Sequence, residues 1–232
     1  MDTEAIRQNE QARTMSLSRL SDLELAAYLC SRVCHDVISP VGAIINGLEL
    51  LDEESDEQMR GFALELVRKS ASQASAKLQF ARLAFGAAGS AGAEIDLGDA
   101  EAVTKGFLAG GKVELSWTAP RATMPKNKVK LLLNLVLVAL QGIPRGGILT
   151  VAVEGEIAAP RFSLRAQGQN ARVPAEAFDF LSGSGGERTI DAHAVQPYYT
   201  ALIAQQCAFS VAFDLHDNVL TLAAQASPVR TF

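Results

Sequence analysis

The sequence predicts an α + α/β chain: an antiparallel helical hairpin that dimerises as a four-helix bundle, followed by an α/β sandwich. Three observations predict it. Residues 22–51 and 59–85 carry apolar side chains at helical spacing, the pattern of two long amphipathic helices. Residues 86–93 are rich in Gly, Ala and Ser and read as a linker. Beyond them, short alternating runs interleave with apolar helices, as in one sheet covered by helices. The expected division is a polar tail at 1–20, the hairpin at 21–88 and the sandwich at 94–232.

The first helix opens at a capping box, with Ser21 at the N-cap and Glu24 three residues on. Its apolar seam reads Ala27, Cys30, Cys34, Val37, Val41, Ile44, Leu48 and Leu51. At 1.5 Å per residue such a helix is roughly 45 Å long. Pro40 removes one backbone hydrogen bond inside it and is expected to kink it just after His35. The acidic run from Asp52 to Glu57 reads as a turn whose charges suit the start of the next helix. That second helix carries Met59, Phe62, Leu66, Ala74, Leu78, Ala81 and Phe85, and its small residues at 70–76 permit close approach. A hairpin this long cannot bury both flanks alone, so a homodimer is expected through this region.

In the second half, 99–108 suggests a short helix, 113–118 a strand, and 127–141 a strongly apolar helix. The turn Pro144-Arg145-Gly146-Gly147 leads into a strand at 148–154, and another strand is expected at 161–166. A helix at 192–207 and a hairpin pairing 209–215 with 218–223 across His216-Asp217 complete the domain. Ser182-Gly183-Ser184-Gly185-Gly186 is glycine-rich, but without a following Lys-Ser/Thr pair it fails as a Walker loop and reads as a surface loop.

Composition excludes several functions. Hydrophobic residues form 48% of the 232, ample for a core, and the net charge of −5 gives no basic surface for nucleic acid. No apolar run approaches the roughly 20 residues a membrane span requires. The polar, mixed-charge start is no secretory signal, so a cytoplasmic protein is expected. With three cysteines, three histidines and no Cys-x-x-Cys, a zinc site has little to work with. Cys30 and Cys34, one turn apart on the seam, read as small core hydrophobes.

Against this background His35 stands out. It sits in His35-Asp36-Val37-Ile38-Ser39-Pro40, one residue off the seam, and successive helical residues turn by about 100°. The ring therefore faces solvent, as a nucleophile or simply as a solvated histidine. Asp36 can orient the far ring nitrogen or serve only as a helix surface charge. Ile38 and Gly42 share the His35 face, either as a docking patch for a partner or as packing inside a bundle. His193 and His216 lie outside any comparable setting and read as surface histidines.

His35, Asp36 and Pro40 match the His-(Asp or Glu)-x-x-x-Pro phosphoacceptor box of sensor histidine kinases. Residues 131–140 with Asn134, then Pro144 and Gly146-Gly147, match the Asn-box helix and its exit turn. The chain from about Ser21 thus resembles a histidine-kinase core, whose second part is a GHKL, or Bergerat-like, ATP-binding sandwich. Its departures are specific. The second Asn-box position is Val138, which cannot hold a hard cation. The adenine-reading Asp-x-Gly-x-Gly is Ala166-Gln167-Gly168-Gln169-Asn170, and the phosphate lid falls at 191–198, which has no glycine.

A phosphoacceptor box beside an erased nucleotide site is similar to the ChpT family of histidine phosphotransferases of alpha-proteobacteria. The resemblance implies no ATP and no cofactor bound by this chain. It also implies a phosphorelay controlling the cell cycle. His35 takes a phosphoryl group from a hybrid-kinase receiver domain and passes it to response-regulator receivers. By the same resemblance the receiver supplies the magnesium, and the chain need only offer His35 in line, since positioning and charge dominate phosphoryl transfer. Ser39 stands where bifunctional kinases place a dephosphorylating Thr or Asn, and it adds to the docking face with Ile38 and Gly42. Two other readings are an ATP-dependent histidine kinase with a divergent pocket and a non-catalytic dimeric adaptor.

Overall fold

The computed structural model describes residues 20–53, 55–86, 92–183 and 190–227. Helix α1 (Asp22–Glu53) and helix α2 (Glu57–Ala84) form the hairpin. The capping box is made: Ser21 N–H donates to Glu24 Oε2 at 2.9 Å, and Glu24 N–H donates to Ser21 Oγ at 3.3 Å. Asp56 starts α2 by accepting from the backbone N–H groups of Gln58 and Met59 at 2.8 and 3.0 Å. The antiparallel sense is visible in the pairing. Arg60 donates to the Leu51 carbonyl near the tip, Gly47 lies against Val67, and Lys77 reaches Asp36 further along.

The packing face of the hairpin differs from the expected seam. On α1 the buried residues are Pro40 and Gly47, while Cys30, Cys34, Val41 and Leu48 are exposed on this chain. The two thiols therefore do not pack in the core of the single chain. On α2 the buried residues facing along the hairpin are the small Ala63, Ser70 and Ala74, whereas Met59, Phe62, Leu66 and Leu78 stand exposed. The physical reason is close approach. A Cβ on Gly47 would lie 2.7 Å from a methyl of Val67, so small residues set the contact and bulky ones turn to the flanks.

After the linker, of which 87–91 fall outside the described residues, β1 (Glu94–Asp96) leads into α3 (Leu97–Leu108). Then come β2 (Val113–Thr118), β3 (Thr123–Pro125), α4 (Lys126–Gly142), β4 (Gly147–Glu154) and β5 (Arg161–Gln167). The chain continues through α5 (Ala175–Ser182), α6 (Val195–Gln206), β6 (Phe209–His216) and β7 (Val219–Ala226). The main sheet has the order β2-β4-β5-β7-β6, with β2 and β4 parallel and the other pairs antiparallel. Asp217 and Asn218 both have positive φ, +49° and +60°, which matches the twist of a two-residue hairpin turn.

Strands β4, β5 and β7 bury Leu149, Val151, Phe162, Leu164, Leu220 and Leu222 on one face. Helix α4 lies over them and is buried at every position from Leu131 to Ala139, as a helix apolar all round must be. The end of α2 joins this core through Phe80, which stacks on Phe107 at 4.5 Å, and through Leu83 and Ala84. A second cluster centres on Phe180, Ile190, Val195 and Tyr198, and Leu25, Tyr28 and Leu29 of α1 pack against it. The sandwich thus grips both helices of the hairpin.

Three short elements carried no readable signal. Strands β1 and β3, three residues each, pair in a separate small sheet, and the eight-residue α5 is too brief to show a period. Helix α6 begins at Val195, later than expected, because Asp191 folds a turn over the N–H groups of His193 and Ala194. Those bonds, Ala194 first, hold the Asp191 carboxyl below the usual range. The end of the Ser182–Gly186 loop, 184–186, lies outside the described residues. Among the described residues no helix is long and apolar enough to cross a membrane.

Candidate functional site

Helix α1 holds His35 outward, its side chain 82% exposed. Nδ1 faces Asp36, with Oδ1 at 3.6 Å, which leaves Nε2 toward solvent. That separation is ion-pair range and too long for a hydrogen bond. The other carboxylate oxygen of Asp36, Oδ2, accepts from Arg32 Nε at 3.1 Å, one turn back on the same helix. The Asp36 carboxylate thus lies between the Arg32 guanidinium and the imidazole.

The backbone at this turn is held as well. Pro40 has no N–H, so the Asp36 carbonyl four residues earlier lacks its helical donor. Lys77 of α2 supplies one, its Nζ donating to that oxygen at 2.9 Å. Neither Arg32 nor Lys77 was anticipated as part of the site. A signal existed for both. Arg32 stands four before Asp36, and a proline inside a helix announces an orphan carbonyl four residues back.

The remaining expected residues share one open surface. Ile38 is 70% exposed and Ser39 is exposed. A Cβ on Gly42 would meet nothing within 4 Å. Among the described residues Ile38 and Ser39 are left exposed and Gly42 half-buried. His193 lies apart, lining a cavity of about 620 Å³ between α1 and the sandwich together with Arg32, Gln141 and Arg172. His216 is at the β6–β7 turn, with Nε2 3.1 Å from Asp217 Oδ2. Among the described residues no group of three or more His, Cys, Asp or Glu is placed to hold a metal ion.

A family model described as the histidine phosphotransferase C-terminal domain matches residues 97–219. The protein phosphotransferase ChpT of Brucella abortus (strain 2308) is 52% identical over 192 residues, covering 83% of this chain and 90% of that one. The chain belongs to the histidine phosphotransferase family. A solved structure described as a bacterial phosphotransferase also aligns with it at 47% identity and a TM-score of 0.81, covering 89% of this chain and 98% of that one.

This histidine phosphotransferase carries its Asn-box asparagine in an unexpected role. Asn134 is fully buried, and its Nδ2 donates to the carbonyls of Ala84 at 2.8 Å and Lys130 at 2.9 Å. Ala84 ends α2, so Asn134 satisfies a carbonyl that the helix terminus leaves open. Gln196 of α6 donates to the Asn134 backbone oxygen at 3.1 Å and to Thr200 Oγ1 at 2.9 Å, and its own Oε1 accepts from Gln141 at 3.0 Å. In the phosphotransferase the Asn-box asparagine thus ties hairpin to sandwich. Val138 and Ala166, at two other positions where the kinase pattern has polar groups, are buried in the apolar core.

Proposed function

We propose that Nε2 of His35 accepts a phosphoryl group from the aspartyl phosphate of a hybrid-kinase receiver and returns it to receivers of response regulators. The observation that carries this reading is the exposed imidazole whose Nδ1 faces a carboxylate held in place by Arg32. The Nε2 lone pair forms the N–P bond as the bond from phosphorus to the aspartyl oxygen breaks, and the receiver carboxylate leaves. The proton stays on Nδ1, and the imidazolium character that develops faces the Asp36 carboxylate. The reverse transfer follows the same path. Residues 21–88 act as the phosphotransfer hairpin and 94–232 as a sandwich that has lost nucleotide. A cytoplasmic location accords with such partners.

The residues around His35 do not make a magnesium site of their own. They offer one carboxylate, and it is already paired with Arg32. The divalent ion belongs to the receiver. ATP is not a substrate on this reading, which the use of Asn134 and Gln196 in a buried structural network supports. The test is incubation with receiver domains carrying radiolabelled aspartyl phosphate, beside incubation with radiolabelled ATP and magnesium. Acid-labile label is expected from the receivers and none from ATP. Label from ATP alone would make the protein a kinase, and label from neither would leave an adaptor.

The reading includes a homodimer. Val41, Ile45 and Leu48 on α1, with Met59, Phe62 and Leu66 on α2, are exposed near the hairpin tip, where the two helices run side by side. An apolar surface of this kind is costly in water, and a two-fold copy would cover it as a four-helix bundle. Leu48→Glu combined with Phe62→Glu is expected to give a monomer at micromolar concentration by light scattering, with circular dichroism unchanged. A dimer that survives both charges would place the interface elsewhere.

A further inference from the structure

We propose that Lys77 is a positioning residue for phosphoryl transfer, acting through the backbone of Asp36; this rests on His35 being the phosphoacceptor. The argument begins with Pro40. Its ring removes the N–H that would have bonded the Asp36 carbonyl, yet α1 continues as one helix from Asp22 to Glu53. The open carbonyl belongs to the peptide that follows the residue next to His35. Lys77, half-buried on the facing helix, places its ammonium 2.9 Å from that oxygen.

A charge-assisted hydrogen bond of this kind is stronger than the backbone N–H···O=C hydrogen bond it replaces, and it runs between helices instead of within one. It therefore joins α1 to α2 at the turn that carries His35. Asp36 is held twice, its carboxylate by Arg32 and its carbonyl by Lys77. The rotation and axial position of that turn decide where Nε2 points. An in-line displacement tolerates little error, since misplacement by about 1 Å costs on the order of a hundredfold in rate. Loss of Lys77 leaves the carbonyl without a donor and frees the turn to shift, while the docking face at Ile38, Ser39 and Gly42 keeps its residues.

The same reasoning sets the test, because Pro40 creates the need that Lys77 meets. In the full-length protein, Lys77→Met keeps the aliphatic stem and removes the donor. With the receiver domain that labels the wild type best, the transfer rate at saturating receiver is expected to fall about tenfold or more, with half-saturation changed less than about threefold. In a Pro40→Ala background, where residue 40 regains its N–H, the same Lys77→Met change is expected to cost less than about twofold. The carbonyl carbon resonance of Asp36 is expected to shift on Lys77→Met in the Pro40 protein and to stay in place in the Pro40→Ala protein. If Lys77→Met does not fold, Lys77→Arg, which retains a donor, is measured by the same rate and resonance and should keep most of both.

An unchanged rate with Lys77→Met would overturn the proposal, as would an equal loss in both backgrounds or an unmoved Asp36 resonance. His35→Gln runs in parallel. If it still takes label, the phosphoacceptor assignment fails. If it does not and Lys77→Met transfers normally, the Lys77 proposal alone fails.

Discussion

His35→Gln is expected to abolish acceptance of phosphate from a phosphorylated receiver, by at least about a thousandfold, while the protein keeps its fold. The side chain is 82% exposed and makes no hydrogen bond among the described residues, so its replacement opens no cavity in the core. Glutamine keeps a polar group of similar reach but has no nitrogen lone pair able to form a stable N–P bond. Neither of the other histidines can substitute. His193 lines a cavity between α1 and the sandwich, and His216 sits on a sheet turn, and neither has a carboxylate held by arginine at its ring. Phosphoramidate, a small donor that needs no docking surface, checks this directly, because label on His35→Gln would mean another acceptor.

The second large effect concerns stability. Asn134→Asp is isosteric, yet it removes both hydrogens that Asn134 donates to Ala84 and Lys130 and introduces a charge at a fully buried site. Breaking a buried polar network in this way costs about 3–5 kcal/mol. For a chain of this size that corresponds to a fall of roughly 10 °C in Tm. Burial raises the carboxyl pKa in the folded state above its unfolded value. The penalty relative to the wild type therefore grows as pH rises through that folded pKa and shrinks as pH falls. Thermal melts of both proteins across pH 5–8 check the magnitude and the sign. A variant within about 1 kcal/mol of wild type would mean that Asn134 is not the tie between α2 and α4.

Much of this was legible in the chain. The capping box at Ser21 and Glu24, the apolar helix around Leu131 to Ala139, and the C-terminal hairpin each rest on local rules, and each formed, the hairpin turning at Asp217 and Asn218, one residue later than the expected His216-Asp217. His35 is open as expected, although Cys34, one residue of helical rotation away on the expected seam, is itself exposed on this chain. The contact face of the hairpin was less so. Spacing marks Cys34, Val41 and Leu48 as an apolar stripe, but not which partner covers a stripe. The helix of the same chain took the small-residue face at Gly47, Ala63, Ser70 and Ala74 instead. The three-residue β1 and β3 pair only with each other and have no period of their own.

The amino-acid order alone determined which helix bears the exposed imidazole, that an acid follows it, and that a proline interrupts the backbone one turn later. Those are properties of neighbours along one helix, where 3.6 residues per turn converts spacing into direction. Only the tertiary structure decided what answers that proline and what became of the Asn-box residue. Lys77 meets Asp36 across 41 residues and Asn134 meets Ala84 across 50. A bond between distant segments leaves no periodic trace. It exists because buried polar groups must find donors and acceptors wherever packing brings them.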